Sequence, residues 1–141
     1  MRIVIIALAF MAAMLTLPNA AFADGHGAGD AQEGAKVFRK CAACHMVGEG
    51  AKNRVGPVLT GVVGRPAASF EGYKYGKSLK AAAEAGLVWS EAELFAYLAN
   101  PRNYLRAKLD DRKARSKMAF KLNKAQDRAD VIAYLKSVGG N

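Results

Sequence analysis

Apolar residues recur at helical spacing in two stretches of the second half of the chain. After Ser90-Glu91-Ala92-Glu93, a serine-to-glutamate capping box, Leu94, Tyr97 and Leu98 fall on one face. Pro101 predicts an end to that helix near Asn100. Asn123 and Gln126 make a similar box ahead of Val131, Tyr134, Leu135 and Val138, with Gly139 as the stop. A shorter helix is predicted over Leu79 to Ala85, capped by Ser78 and ended by Gly86. Another begins at Asp30 and carries Val37 and Phe38. Gly34 lies one turn before Phe38, where a missing side chain lets a second helix approach. No alternating run is long enough for a paired strand. The pattern predicts an all-α single domain. Its middle is different: residues 48–77 hold seven glycines and two prolines and no apolar period. A loop of that length in a small domain predicts that something other than secondary structure fills the interior.

One apolar run has no place in that domain. Residues 3–17 read IVIIALAFMAAMLTL, with Thr16 as their one polar residue, and Arg2 precedes them. Fifteen residues in a helix span about 22 Å, short of the roughly 30 Å hydrocarbon core of a bilayer. Ala21-Phe22-Ala23 fits the small-x-small rule of a secretory signal, so cleavage is expected after Ala23. The division expected is 1–23 as a removed signal and 24–141 as the exported domain.

Charge sharpens the picture. The 141 residues carry 21 Lys and Arg against 12 Asp and Glu. Residues 24–99 have nine basic and eight acidic side chains, whereas residues 100–141 have eleven and four. An exported protein rarely meets nucleic acid, so a basic block of this kind reads as a solvated face or a docking surface for an acidic protein.

The chemistry is concentrated in Cys41-Ala42-Ala43-Cys44-His45. Two thiols at this spacing can add across the two vinyl groups of haem, and the adjacent histidine then reaches the iron. Three alternatives fit less well. A thioredoxin-like pair needs a βαβ context, a structural zinc site needs four ligands, and a plain disulfide leaves His45 unexplained. A large flat apolar ligand also accounts for the loop-rich middle. A haem that transfers electrons without binding small molecules needs a second axial ligand, usually Met or His. Met1, Met11 and Met14 lie in the signal, and Met46 is too close to His45 to reach the other haem face. Met118, in the polar segment 115–120, remains, with His26 as its rival.

With these motifs in order, the chain resembles a class I c-type cytochrome, and closely the longer bacterial cytochrome c2 subgroup, over residues 30–138. The resemblance implies N- and C-terminal helices packed together, Gly34 and Phe38 lying on Val131 and Tyr134, and long loops wrapping one covalent haem c. It implies Cys41 and Cys44 as attachment sites and His45 and Met118 as axial ligands. Pro57 would accept a hydrogen bond from the second ring nitrogen of His45. Arg65, Tyr75 and Trp89 would surround a buried haem propionate, as a guanidinium, a phenol and an indole are able to do. Without the resemblance these three read as a solvated arginine and two core aromatics. Tyr97 would bring its hydroxyl to the methionine sulfur.

Two departures stand out. Leu105 to Ser116 is longer than the loop of small relatives and lacks proline and glycine, and Leu79 stands where many relatives carry a polar residue. The function implied is that of a monomeric periplasmic one-electron carrier and not an enzyme. Its donor would be a quinol–cytochrome c oxidoreductase and its acceptor a terminal oxidase or photosynthetic reaction centre. Lys40, Arg102, Lys117 and Lys121 would form the docking surface. The rival classes are a peroxidase or gas sensor with an open iron, and a haem domain anchored to a membrane complex.

Overall fold

Helix α1 (Ala31–Phe38) starts where Asp30 accepts hydrogen bonds from the Gln32 and Glu33 amides at 2.7 and 2.9 Å, satisfying donors that a helix start leaves unpaired. Its buried face consists of Gly34 and Phe38. The computed structural model that shows this describes residues 28–139. The predicted signal, its cleavage site and His26 lie outside the described residues.

Four more helices follow: α2 (Lys77–Glu84), α3 (Glu91–Ala99), α4 (Pro101–Lys108) and α5 (Ala125–Ser137). Helices α1 and α5, from opposite ends of the chain, make the most extensive helix–helix contact. Gly34 permits it. A Cβ there would sit 1.9 Å from the Asp130 carbonyl oxygen and 2.7 Å from the Tyr134 Cβ. The Phe38 and Tyr134 rings meet at 5.3 Å, and Val131, Ile132 and Leu135 are buried beneath. Buried Asp130 ties the pair together, accepting from the Asp30 amide and from Gln126 Nε2, both at 2.8 Å. The expected all-α architecture with paired terminal helices is therefore observed. Among the described residues the one extended pairing is an isolated antiparallel bridge between Pro66 and Val88. No described helix is long and apolar enough to cross a membrane.

The capping expectations fare unequally. Ser90 caps α3 as predicted, accepting from the Glu93 amide at 3.1 Å. Gly86, at φ +88°, follows α2 in the left-handed conformation that glycine adopts without strain. Ser78 is not a cap: α2 begins one residue earlier, at Lys77, with Gly76 as its N-cap and no side-chain bond there. The Asn123 box does not form either. Lys124 is the N-cap of α5, and the Asn123 and Leu122 carbonyls instead accept from Arg128 at 2.9 and 2.7 Å.

Pro101 both stops and starts a helix. It occupies the first position of α4, where its missing amide proton costs nothing, and Asn100 caps that helix by accepting from the Asn103 amide at 3.1 Å. The segment expected as a loop from Leu105 thus begins as helix to Lys108 and only then turns. Helices α3 and α4 are joined by Tyr104, whose hydroxyl donates to Glu93 Oε2 at 2.5 Å, and by Lys108, which pairs with the other Glu93 oxygen. Behind that contact the Trp89, Tyr97 and Tyr104 rings cluster, with Trp89–Tyr97 centroids at 4.8 Å and Tyr97–Tyr104 at 5.5 Å.

Candidate haem site

The turn after α1 carries the two cysteines. Cys41 and Ala42 amides donate to the Phe38 carbonyl at 2.7 and 2.9 Å, and Cys44 and His45 amides donate to Cys41 at 3.0 Å. The chain therefore continues in helical turns past Phe38. Residues three and four apart then share a side, which puts Cys41, Cys44 and His45 together. Both thiols are free and half-buried. Burial raises the Cys41 thiol above its ordinary range, with Lys40 opposing the shift.

His45 is fixed by the segment after it. Its Nδ1 lies 2.7 Å from the Pro57 carbonyl oxygen, which can only accept, so the ring proton sits on Nδ1 and Nε2 is left with its lone pair. Burial pushes the imidazole below its usual value and the Pro57 bond only partly offsets this, which favours the neutral ring. Gly56 makes the approach possible: a Cβ there would meet the His45 ring at 2.3 Å. The Gly56 amide donates to the Cys44 carbonyl at 2.8 Å, locking this segment against the cysteine turn.

These groups open onto a cavity of about 510 Å³. Cys41, Cys44, His45, Pro57, Arg65, Tyr75, Trp89, Tyr97 and Met118, all nine residues selected from the sequence, line it. Most of the remaining wall is apolar, supplied by Phe38, Leu94, Leu98, Leu105, Val131 and Leu135 from four of the helices. Val55 and Phe120 also line it and are solvent-exposed, so the cavity reaches the surface there.

Arg65 carries an open valence. Its two terminal nitrogens donate to the Thr60 and Val58 carbonyls at 2.9 and 3.0 Å, while Nε is buried without a hydrogen-bond partner. An unpaired buried donor beside an apolar cavity suits a ligand that is largely hydrocarbon with an anionic edge. The Pro66–Val88 bridge positions this arginine, because Gly64 and Trp89 amides exchange bonds with the Trp89 and Arg65 carbonyls at 2.8 and 2.9 Å. Two thiols, a neutral imidazole, a thioether and this cationic donor in one apolar cavity fit a covalently held haem.

Other selected residues have partners that the sequence did not disclose. The Tyr75 hydroxyl accepts from the Phe70 amide at 3.2 Å. The Tyr97 hydroxyl lies 3.3 Å from Ser116 Oγ, which also accepts from the Met118 amide at 3.1 Å. Burial raises both phenols above their ordinary value. Lys40 and Lys117 line the cavity, whereas Arg102 and Lys121 are exposed outside it. Lys40 is paired with Asp127 at 3.1 Å, which reduces the free charge it offers a partner. Lys117 donates to the Lys74 carbonyl and lies over the Tyr73 ring at 5.6 Å. Tyr73 was not singled out in the sequence. Its hydroxyl donates to the Val55 carbonyl at 2.7 Å, and its ring meets Tyr75 edge-on at 4.8 Å. The Tyr-x-Tyr spacing of residues 73 and 75, which places both rings on one side of an extended segment, was the available signal.

Comparison with known proteins agrees with this geometry. The Cytochrome c family matches residues 31–139. Cytochrome c2 iso-1 of Rhodospirillum centenum is 49% identical over 115 residues, covering 77% of this chain and 96% of that protein. Cytochrome c2 of Rhodospirillum rubrum is 46% identical over 110 residues, covering 78% of this chain and 98% of its own. Among solved structures, that of cytochrome c2 from Rhodospirillum centenum superposes with a TM-score of 0.75 at 46% identity, covering 78% of this chain and 98% of that one.

Proposed function

Because the chain belongs to the cytochrome c family, we propose that it is a soluble periplasmic shuttle for single electrons, with haem bonded to Cys41 and Cys44 and ligated by His45 and Met118. That it is an electron carrier with one covalent haem c, and not an enzyme, follows from membership itself. The observation that carries the finer reading is the convergence of both thiols, the His45 ring and the Met118 thioether on one largely apolar cavity.

When bound, haem supplies a one-electron iron couple. The residues govern how that couple behaves. His45 presents Nε2 while its Nδ1–H donates to the Pro57 carbonyl, an outer bond that holds the ring plane and raises its basicity. A thioether ligand raises the potential. With His45 and Met118 both bound, the iron would keep no open position for substrate and would have little to rearrange when its charge changes. Arg65 Nε has the position and charge to receive a haem carboxylate, and the apolar wall excludes water.

Electrons would arrive from a membrane quinol–cytochrome c oxidoreductase and leave to a terminal oxidase or a photosynthetic reaction centre. The protein acts as a monomer in this reading, exported after cleavage at Ala23. Docking would use the basic side chains Lys117, Lys121 and Arg102, with the paired Lys40 contributing less. Nucleic acid has no part in it.

The experiment that tests the site is a spectrum of both redox states of wild type and Met118→Ala, with a mass measurement. The expected result is a mass increased by one haem that resists acidified organic solvent. The weak red sulfur-to-iron band should be present in ferric wild type and absent in the variant, which should also bind carbon monoxide when reduced. A band that survives in Met118→Ala removes Met118 as the ligand.

A further inference from the structure

The segment that carries Met118 is thinly held. Among the described residues, main-chain amides of 115–121 make two hydrogen bonds. One stays inside the segment, from the Met118 amide to Ser116 Oγ. The other leaves it: the Arg115 amide donates to Ser78 Oγ at 3.0 Å, across 37 residues. The next main-chain tie is the Leu122 amide on the Leu98 carbonyl at 2.8 Å. Two further contacts run through side-chain ends, from Lys117 to the Lys74 carbonyl and between Ser116 and Tyr97.

Ser78 is placed to receive that amide for a local reason. It is the second residue of α2, whose N-cap is Gly76, so its hydroxyl is not used in capping the helix. Gly76 and Leu79, on either side of it, line the cavity, and the Lys117 stem lies 3.4 Å from where a Gly76 Cβ would be. The first turn of α2 is therefore the surface on which the Met118 segment rests.

We propose that Ser78 is a positioning residue for Met118, its hydroxyl latching the start of the Met118 segment to α2 through the Arg115 amide. The inference rests on Met118 being an iron ligand, as proposed above. Met118 leaves the iron when this segment swings out. Losing a bond present only in the closed arrangement moves that local equilibrium toward the open one. A net hydrogen bond of about 0.5–1.5 kcal/mol corresponds to roughly 2- to 10-fold.

Imidazole, which takes the methionine position of a ferric haem once the segment opens, reports that equilibrium directly. The full-length ferric holoprotein would be titrated with imidazole at constant pH, following the main haem absorption band, which every variant retains, beside a urea unfolding curve read by circular dichroism. Ser78→Ala is expected to bind imidazole about 2- to 10-fold more tightly, and Ser78→Thr, which keeps the hydroxyl, to match wild type. Ser137→Ala, which removes a hydroxyl bonded to the Tyr134 carbonyl at 2.8 Å on α5, should leave imidazole affinity unchanged. Unchanged affinity in Ser78→Ala alongside a rise in Met118→Ala overturns the latch and leaves the ligand reading standing. No rise in Met118→Ala overturns both. Equal shifts in Ser78→Ala and Ser137→Ala, or in Ser78→Ala and Ser78→Thr, also overturn the latch.

Discussion

The two ends of this chain and its middle are stabilised in different ways. Helices α1 and α5 fill their interface with their own atoms: Gly34 against the Asp130 backbone, Phe38 against Tyr134, and Asp130 on the Asp30 amide. The segments 48–76 and 109–124 contain no helix and instead turn many of their side chains toward a cavity of about 510 Å³. Protein packing completes most of the first region, although Phe38, Val131 and Leu135 also line the cavity. The second is completed only by the haem, so one chain joins a largely self-packed clasp to a wrap that depends on its cofactor.

Removing the haem is the most severe test of that difference. Without haem the apolar wall of this cavity loses the contacts that complete it and is exposed to water, and the stability of a typical domain is only about 5–15 kcal/mol. Replacing Cys41 and Cys44 by Ala and extracting the haem should therefore abolish cooperative unfolding, seen as a flat urea profile by circular dichroism. A cooperative transition near that of the holoprotein would mean that the loops hold themselves.

Two glycine substitutions probe the regions separately. Gly34→Ala gains up to about 1 kcal/mol in helix propensity but drives a Cβ into the Asp130 backbone, a strain at the upper end of the usual overpacking cost, roughly 3 kcal/mol. It should lower the urea midpoint while leaving the absorption spectrum unchanged. Gly56→Ala drives its Cβ into the His45 ring, so it should alter the spectrum and lower the potential even under conditions where the protein stays folded. Reversed outcomes would break the comparison.

The smallest effect lies at the join between α3 and α4. Hydrogen bonds from Lys108 and then Tyr104 hold the Glu93 carboxyl below its ordinary value. Its folded pKa is thus lower than its unfolded one, so this contribution is complete above the unfolded value, about 4.5, and fades as pH falls through the folded value. The carboxylate is substantially solvated, and such pairs contribute roughly 0.2–1 kcal/mol. Glu93→Gln should cost that much at pH 7 and progressively less as pH is lowered below about 4.5, measured as a difference in urea midpoints.

Local chemistry was legible without the fold. The Cys41–His45 motif states its cofactor because three reacting groups lie within five residues, and the Ser90 cap and the burial of Val131 and Leu135 on α5 follow from spacing over one or two turns, whereas buried Asp130 and Ile132 do not. Pro101 was legible only in part, since the same residue ends one helix and begins the next. What the tertiary structure alone decided are the partners of groups with several local options. Ser78 had the makings of a cap and instead received an amide 37 residues away. Asn123 gave its carbonyl to Arg128, Tyr97 found Ser116, and Lys40 lost part of its free charge to Asp127. Hydroxyls, amides and ammonium groups bind whichever complementary group lies nearest, and in this chain that nearness is set by how loops from distant positions close around one cavity. Spacing along the sequence determines periodicity and motifs; only the closed wrap determines which of these polar groups meet.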